Sequence, residues 1–289
     1  MATSLTSPAL AFSTDKAIIA ARKALAKVAL FATDFSADAV QPGTTMKVPV
    51  FTPSTAEVFN AETNNYEKAD GSVVYADITF DKHVKNTFQF DDKDFTLVNG
   101  TNFWANAGKA SGTAISKAIA AAVSDKVVDT SVTATLASVT KDTAANLRKV
   151  CAENDVDPST CVIMLSPDYF AQLLAKLDAN IYGGAEAIKL GIIDGLYGFK
   201  AVIENSDLGS NVGAIVPEDA LVVAGRVVPV MSPSVYEEVG QTTDEVSGLV
   251  VGARRHGNPA TGANFCTHEA LFGAALVQPT KVIKLTKGS

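Results

Sequence analysis

Apolar residues recur every three or four positions between Thr101 and Thr130, which is the spacing of one face of an α-helix. Many of them are alanine, the residue with the highest helix propensity. The pattern predicts an amphipathic helix, best defined from Ser111 to Asp129. The predicted inner stripe consists of Phe103, Ala107, Ala110, Ala114, Ile115, Ala118, Ile119, Ala122, Val123 and Val127. The predicted outer face carries Lys109, Ser116, Lys117, Ser124 and Asp125.

Two glycines, Gly108 and Gly112, lie in the first third of this helix. Each weakens a helix by ~1 kcal/mol relative to alanine. Because they are four residues apart, they lie on one face, where the absence of side chains would let another backbone approach closely.

A second helix is predicted near the N-terminus, capped by Ser13 or Thr14 and extending to about Ala32. Its apolar stripe consists of Ile18, Ala21, Leu25, Val28 and Ala29, and its basic residues Lys16, Arg22, Lys23 and Lys27 fall elsewhere. This leading helix could dock on its own domain or reach a neighbouring chain.

A strict alternation of apolar and polar residues follows, first at Met46, Val48 and Val50 and then from Val74 to Phe80. If the second run continues to Phe90, the strand has about 17 residues and a length of about 55 Å. Strands of globular proteins usually have at most about 10 residues, and a two-stranded hairpin alone is only marginally stable. The pattern therefore predicts a long hairpin that packs against other subunits. We expect removal of residues 48–80 to leave a folded but unassembled subunit.

The rest of the chain alternates between helical and extended patterns. Thr140 or Asp142 can cap a helix that ends near Asn154, and Ser166 followed by Pro167 can start another. The predicted strands span residues 161–165, 196–205, 220–230, 247–254, 264–277 and 280–285, with a short strand or loop at 131–139 and a turn at 256–259. This order predicts a compact α/β domain.

Composition excludes several classes of protein. The net charge of −7 argues against a dedicated nucleic-acid binder, which would carry a basic stripe. No run reaches the ~18 apolar residues of a membrane span. The three cysteines form no CxxC pair and are expected to be buried thiols. The 19% of charged residues is a low share, which indicates a surface that partly meets other protein. We expect the protein to be made in the cytosol and to stay soluble or assemble there.

The familiar catalytic motifs are missing from the sequence. Gly191, Gly195 and Gly198 fit neither a dinucleotide-binding nor a P-loop pattern, and they are interpreted as turns. No GxSxG nucleophile elbow occurs. Cys266 and His268 would share one face of a strand, but no second cluster is present to complete a tetrahedral metal site.

The remaining candidates have structural interpretations as well. His83 is interpreted as part of a polar strand face, His256 as a loop residue and Trp104 as a packing anchor. We therefore predict no catalytic residue, no cofactor-binding residue, no metal ligand and no enzymatic activity.

Three stretches together resemble the major capsid proteins of tailed bacteriophages, which have the HK97-type fold. GTTMKVPV with VVYADITFDKHVKNTFQFDDKDF is similar to the family's hairpin, the E-loop, and its return strand. VIMLSPDYFAQLL and GIIDGLYGFKAVIENSDL resemble the strand, helix and following strand of its axial domain. HEALFGAALVQPTKVIKLTKGS is similar to its closing strands. The stretches span most of the chain, and it is their order and spacing that carry the resemblance.

This resemblance implies an α+β fold with an N-terminal arm, an E-loop, a spine helix with a peripheral domain, and an α/β axial domain. The implied divisions are an arm at residues 1–40, the E-loop and return strand at 41–97, and the spine helix and peripheral domain at 98–140. The axial domain would span 141–255, and closing strands would occupy 256–289.

The resemblance also implies a function. The chain would be the structural subunit of an icosahedral phage head, forming pentamers and hexamers that enclose double-stranded DNA. Its partners would be copies of itself, a separate scaffolding protein, portal and decoration proteins, and DNA contacted without sequence preference, with no membrane partner. It would belong to the virion and assemble in the host bacterial cytoplasm.

Some members of the family cross-link their subunits through a lysine, an asparagine and a catalysing glutamate. His268 stands about where that glutamate is expected, with Glu269 beside it, so cross-linking is not predicted. Two alternatives stay open. One is an encapsulin-like nanocompartment shell that packages protein, and the other is a soluble α/β enzyme with a dimerising β-arm.

Overall fold

The computed structural model describes residues 8–34, 45–51, 73–91, 100–140, 142–176, 191–226, 228, 235–244, 249–258 and 260–288. Its α-helices are α1 (Pro8–Leu25), α2 (Gly100–Val128), α3 (Thr143–Glu153) and α4 (Pro167–Leu174). The strands up to the middle of the chain are β1 (Ala32–Asp34), β2 (Thr45–Phe51), β3 (Val73–Thr79), β4 (Lys82–Asp91), β5 (Thr133–Thr135), β6 (Cys161–Leu165) and β7 (Ile192–Asp194). Those that follow are β8 (Ala201–Glu204), β9 (Gly213–Pro217), β10 (Leu221–Arg226), β11 (Glu238–Thr243), β12 (Val250–Asn258), β13 (Ala263–Leu276) and β14 (Ile283–Thr286).

The strands form two six-stranded sheets and a separate hairpin. The first sheet has the order β1-β10-β13-β12-β11, with β4 paired to β13, and only β1 pairs in parallel. The second sheet has the order β5-β14-β9-β6-β8-β7 and mixes parallel with antiparallel pairs. Strands β2 and β3 pair with each other from Thr45↔Thr79 to Phe51↔Val73. The predicted α+β fold class is confirmed.

The long helix α2 is longer than its best-defined part in the sequence, and its inner face differs from the predicted stripe. Ile115, Ile119, Val123 and Val127 are buried as predicted. Ala110 and Ala114, however, are exposed, and the serines at 116 and 124 are buried. Helix α1 lies on the face of Gly108 and Gly112. The Ser124 hydroxyl, farther along, accepts a hydrogen bond from Nδ2 of Asn205 at 2.9 Å.

Helix α1 begins and ends earlier than predicted. It starts at Pro8, a residue whose fixed φ suits the first helical turn, and ends at Leu25. The predicted caps Ser13 and Thr14 are buried inside it, and the Thr14 hydroxyl donates to the Leu10 carbonyl at 2.8 Å. A 3-10 turn at Val28–Leu30 follows, and β1 then pairs with β10.

The alternating pattern after residue 73 does not form one long strand. The chain turns at Phe80 and Asp81, where the Asp81 amide donates to the Thr79 carbonyl at 3.1 Å. Strand β3 belongs to the hairpin, whereas β4 belongs to the first sheet. A period of two cannot reveal this break, because both strands keep the same alternation.

Most later elements follow the prediction. Helix α3 is flanked by Asp142, β6 is fully buried, and α4 follows Ser166 with Pro167 in its first turn. The predicted turn at 256–259 is wrong for residues 256–258, which extend β12 because they pair with β13. The turn lies at 260–262, where Gly262 has a φ of 68°. The predicted turns at Gly191, Gly195 and Gly198 agree with their positive φ values.

Several predicted features lie outside the described residues. They include residues 227, 229 and 230 of the strand predicted at 220–230 and residues 247 and 248 of the strand predicted at 247–254. The division of the chain at residues 40, 97, 140 and 255 stays a proposal. Strand β12 itself crosses residue 255.

Candidate assembly surface

The hairpin carries apolar side chains that are exposed to solvent. Val73, Val74 and Tyr75 at the start of β3 are 45%, 53% and 60% exposed. Because successive side chains of a strand point to opposite faces, apolar surface is presented on both sides of the hairpin. Contiguous exposed apolar surface of this kind is typical of protein–protein contact sites.

The other end of the hairpin is anchored in its own chain. Val48 and Ile78 are buried and pack with Val222 and Ala224 of β10. At Gly273 in β13, an added Cβ would overlap the carbonyl oxygen of Thr79. The hairpin therefore has a fixed base on the first sheet, and the expected effect of removing residues 48–80 needs correction. That deletion would also uncover the apolar surface beneath Val48 and Ile78.

Helix α1 docks on its own chain, which decides between the two alternatives left by the sequence. The Ser13 hydroxyl lies 3.2 Å from Nε2 of His268 in β13. Arg22 forms a bidentate ion pair with Asp244, whose side chain is almost fully buried. Farther along, Lys27 donates to the carbonyl of Glu204 at 3.0 Å. Sequence spacing gave no signal for these contacts, since the partners are far apart in the chain.

A buried carboxylate joins three strands of the first sheet. Glu269 in β13 forms an ion pair with Arg254 in β12, and its Oε2 lies 2.9 Å from Nε2 of His83 in β4. The Arg254 guanidinium also lies 5.2 Å above the Tyr236 ring. His83 is thus on an exposed strand face, as predicted, but it also pairs with a buried acid. The arrangement ties neighbouring strands together and leaves both oxygens of Glu269 with a partner.

The other candidates from the sequence lie in packed surroundings. Trp104 is buried against Phe90, with ring centroids 5.6 Å apart, and Cys266 belongs to the same cluster. Burial raises the pKa of the Cys266 thiol to about 12. The His256 ring stacks on Phe265 at 5.0 Å within the sheet, so the loop interpretation of His256 is wrong.

Metal binding is not indicated by these groups. In the described part of the chain, no three His, Cys, Asp or Glu side chains come together as a metal site would require. The three cysteines are free and buried, as predicted.

His268 is a buried histidine whose charge state should affect stability. Its side chain is fully buried between β13 and α1, and burial lowers its pKa from 6.5 to about 4. The unfolded chain therefore takes up this proton at a higher pH than the folded chain. The folded chain therefore has the full stability that the uncharged His268 allows above about pH 6.5, and it loses this contribution as the pH falls toward 4.

We expect His268→Gln to reduce the acid sensitivity of the subunit. Between about pH 7 and pH 5 the wild-type free energy of unfolding should fall by about 2 kcal/mol more than that of His268→Gln. Urea unfolding at several pH values measures this difference. The control is Thr113→Ala, which changes an exposed, uncharged residue of α2 and leaves His268 in place, so its free energy of unfolding should fall as much as that of the wild type over this pH range. Equal losses in wild type and His268→Gln would contradict the prediction.

Comparison with known proteins finds similarity in structure only. No family model matches the chain, and no curated protein matches its sequence. The alignment with a structure described as Mycobacterium phage Che8 covers 90% of this chain and 90% of the other chain, with a TM-score of 0.56 and 17% sequence identity. The alignment with a chain of the cyanophage P-SCSP1u capsid covers 89% of this chain and 86% of the other, with a TM-score of 0.56 and 14% sequence identity. The alignment with a chain of a virus-like particle from Pyrococcus furiosus covers 94% of this chain and 97% of the other, with a TM-score of 0.53 and 12% sequence identity.

These similarities extend over nearly the whole length of each chain, so they concern the complete fold and not a shared fragment. Among the described helices, none is long and apolar enough to cross a membrane. The chain has the fold of phage capsid shell proteins.

Proposed function

We propose that this protein is the structural subunit of an icosahedral phage head. Copies of the chain form pentamers and hexamers that close into a shell around double-stranded DNA. The observation that carries the proposal is the hairpin β2–β3, which is anchored at its base and exposes Val73, Val74 and Tyr75 on both faces. A monomeric protein gains nothing from such surface, whereas a shell subunit can bury it on a neighbour.

The charge of the chain agrees with a container for DNA. Lysine and arginine contacts to phosphates set the strength of non-specific DNA binding. The chain has 24 lysine and arginine residues and 31 acidic residues, so it is suited to enclosing DNA while binding it only weakly. A DNA-packaging shell would assemble in the host cytoplasm, become part of the virion, and work with separate scaffolding, portal and decoration proteins.

The proposed roles of the regions follow the divisions given above. Residues 41–97 overlap the neighbouring subunit, residues 98–140 form the spine, and residues 141–255 meet at the axes of the pentamers and hexamers. The subunit acts as a building block and not as an enzyme. The polar cluster around Glu269 supports this role, because its charges are paired within the sheet instead of facing a cleft.

Electron microscopy with sedimentation of the purified recombinant chain tests the proposal. We expect closed shells, sheets or capsomer-sized rings, and the shell diameter then bounds the number of subunits. A monomer or dimer that is unchanged by crowding would overturn the proposal and favour the soluble enzyme with a dimerising arm.

A protein-filled compartment is the second candidate. It would use the same fold, which the chain shares over 94% of its length with a virus-like particle from Pyrococcus furiosus, a structure not described as a phage. The contents of shells isolated from the native source separate the two candidates. Nuclease-protected double-stranded DNA supports the phage head, whereas a single enriched cargo protein without DNA supports the compartment.

A further inference from the structure

The two strands of the hairpin differ in their free edges. In strand β2, Pro49 is paired with Tyr75 of β3. Proline has no main-chain N–H, so a strand tolerates it where its nitrogen faces away from the partner strand. The free edge of β2 therefore lacks a hydrogen-bond donor near the middle of the strand, and a further strand cannot form a complete ladder there.

The free edge of β3 keeps its donors and acceptors. Because both residues of an antiparallel pair direct their main-chain groups in the same way, Tyr75 also directs its N–H and C=O away from β2. Every second residue does the same, which adds Val73, Asp77 and Thr79. The carbonyl oxygen of Thr79 agrees with this direction, since it lies against Gly273 of β13. Among the described residues β3 is paired only with β2, so its edge is open from position 73 to position 77.

The side chains along this edge are suited to pairing with another strand. Val73, Val74 and Tyr75 are β-branched or aromatic, as residues of strands commonly are, and all three are exposed. Exposed edges are usually protected by lysine or proline, and neither occurs in β3. An unprotected edge of this kind is a template for the addition of a further strand.

The charges of the hairpin permit contact with a second copy of it. Strands β2 and β3 contain one basic and one acidic residue, Lys47 and Asp77, which are directly opposite each other. Their charges are balanced within the hairpin, so two hairpins can approach without net repulsion. Antiparallel pairing is also compatible with a two-fold axis, which allows one edge to pair with the same edge of another copy.

We propose that β3 of one subunit pairs antiparallel with β3 of a second copy, about a two-fold axis through Val74. This register places Val73 opposite Tyr75 of the partner subunit and sets the two Val74 side chains opposite each other. Pairs of an aromatic with a β-branched residue stabilise a sheet. The two Asp77 carboxylates lie on opposite sides of the axis, ~20 Å apart along the strands. The inference rests on the proposed assembly of copies into a shell and names a contact by which two copies meet.

The pairing converts two hairpins into one sheet with the order β2-β3-β3-β2. Two strands alone are only marginally stable in water, whereas three or more strands with an apolar face can be stable. Val74 and Val50 are paired and share a face with Val48 and Ile78, because these positions alternate along the two strands. The apolar face that anchors the hairpin on β10 therefore continues across the axis to the second copy.

A single cysteine at the axis tests the pairing. Val73 and Tyr75 carry the hydrogen bonds of the proposed ladder, so Val74 falls in the closer type of pair, where two Cβ atoms can be near enough for a disulfide. The purified full-length Val74→Cys chain is assembled under reducing conditions and then treated with oxidised glutathione. We expect a disulfide-linked dimer on a non-reducing gel. The wild-type chain is the blank, since its three cysteines are buried.

Thr79→Cys is the matched control, because it places a thiol at an exposed position of the same strand. In the proposed register its two copies are ~33 Å apart, so they should not link.

Two further variants of the Val74→Cys chain separate main-chain pairing from apolar contact. Tyr75→Pro removes the N–H that faces the partner, while pairing with β2 is kept, as it is at Pro49. It should lower the dimer to the level of Thr79→Cys. Tyr75→Thr also removes the aromatic ring but keeps the N–H, and it should preserve the link.

The possible results separate the pairing from the shell. Assembled shells in which Val74→Cys stays unlinked, or links no better than Thr79→Cys, would overturn the pairing and leave the proposed shell intact. Equal linking with Tyr75→Pro and Tyr75→Thr would overturn the main-chain ladder. A wild-type chain that fails to assemble would contradict the proposed function, and the pairing would then stand or fall by whether the unassembled Val74→Cys chain links.

Discussion

Removing the residues that connect β2 to β3 should abolish shell formation and leave a folded subunit. The variant replaces residues 52–72 with Asn-Gly, which joins Phe51 to Val73. These two residues are paired in the hairpin, and Asn-Gly is the preferred sequence for a two-residue turn between paired strands. Val48 and Ile78 stay in place on β10, so the core of the subunit is unchanged. Electron microscopy should find no particles, while the thermal midpoint and circular dichroism should stay close to wild type.

A milder change tests the exposed apolar residues themselves. Replacing Val74 and Tyr75 with threonine and glutamine keeps the strand but removes apolar surface, so assembly should need a higher protein concentration. Asp77→Asn is the matched control, because it alters an exposed polar residue of the same strand. Closed shells formed by the shortened chain at wild-type concentration would contradict the role given to the hairpin.

Local sequence patterns predicted the secondary structure well where a pattern is compatible with only one type of element. The continuous apolar run Cys161–Leu165 is completely buried in the second sheet, as such a run requires. Ser166 and Pro167 mark the start of α4 because proline fits only the first turn of a helix. The order of these elements carried the resemblance to capsid proteins, and the structural comparisons agree with it.

The errors arose where tertiary contacts choose between equivalent local patterns. Alternation through Phe80 and Asp81 fits one strand or two, and only the different partners of β3 and β4 separate them. His256, Gly257 and Asn258 are typical turn residues, yet pairing with β13 holds them in β12. Asp155 closes α3 in a conformation that usually selects glycine, which the sequence does not announce.

The contacts at the candidate surface were harder to predict than the elements. Arg22 and Asp244 form a pair only because α1 folds back on the chain, and nothing in their local sequence marks either residue. Glu269 was noted beside His268, but its partners Arg254 and His83 lie on two other strands. Such pairs depend on sheet order, which a single sequence without aligned relatives does not encode legibly.

Gly108 and Gly112 are the positions where sequence and structure agree most closely. An added Cβ at Gly108 would overlap the carbonyl oxygen of Ser13, and one at Gly112 would overlap that of Ala17. The two contacts advance together along both helices, so α1 and α2 run in the same direction with their backbones touching. Both obstacles are main-chain atoms, which cannot move aside as a flexible side chain can.

Gly112→Ala should therefore destabilise the subunit, although alanine is the better helix former. In an isolated helix the change gains ~1 kcal/mol. In the folded chain α1 must shift away from α2, and we expect a net loss of about 2 kcal/mol, within the range of overpacked cores. Urea unfolding of the unassembled subunit measures the loss, and faster proteolysis within α1 should accompany it.

The control for this prediction is Thr113→Ala, which introduces the same residue at the exposed neighbouring position. It changes helix propensity without meeting α1, so its free energy of unfolding should stay equal to wild type or rise slightly. The sign of the change in free energy of unfolding for Gly112→Ala shows whether α1 packs on α2 in solution. A stabilising effect would mean that α1 does not rest on α2 in solution, and that the arm helix is free to pack on a neighbouring subunit instead. A destabilising effect, together with a neutral control, places α1 on α2 of its own chain before any shell is formed.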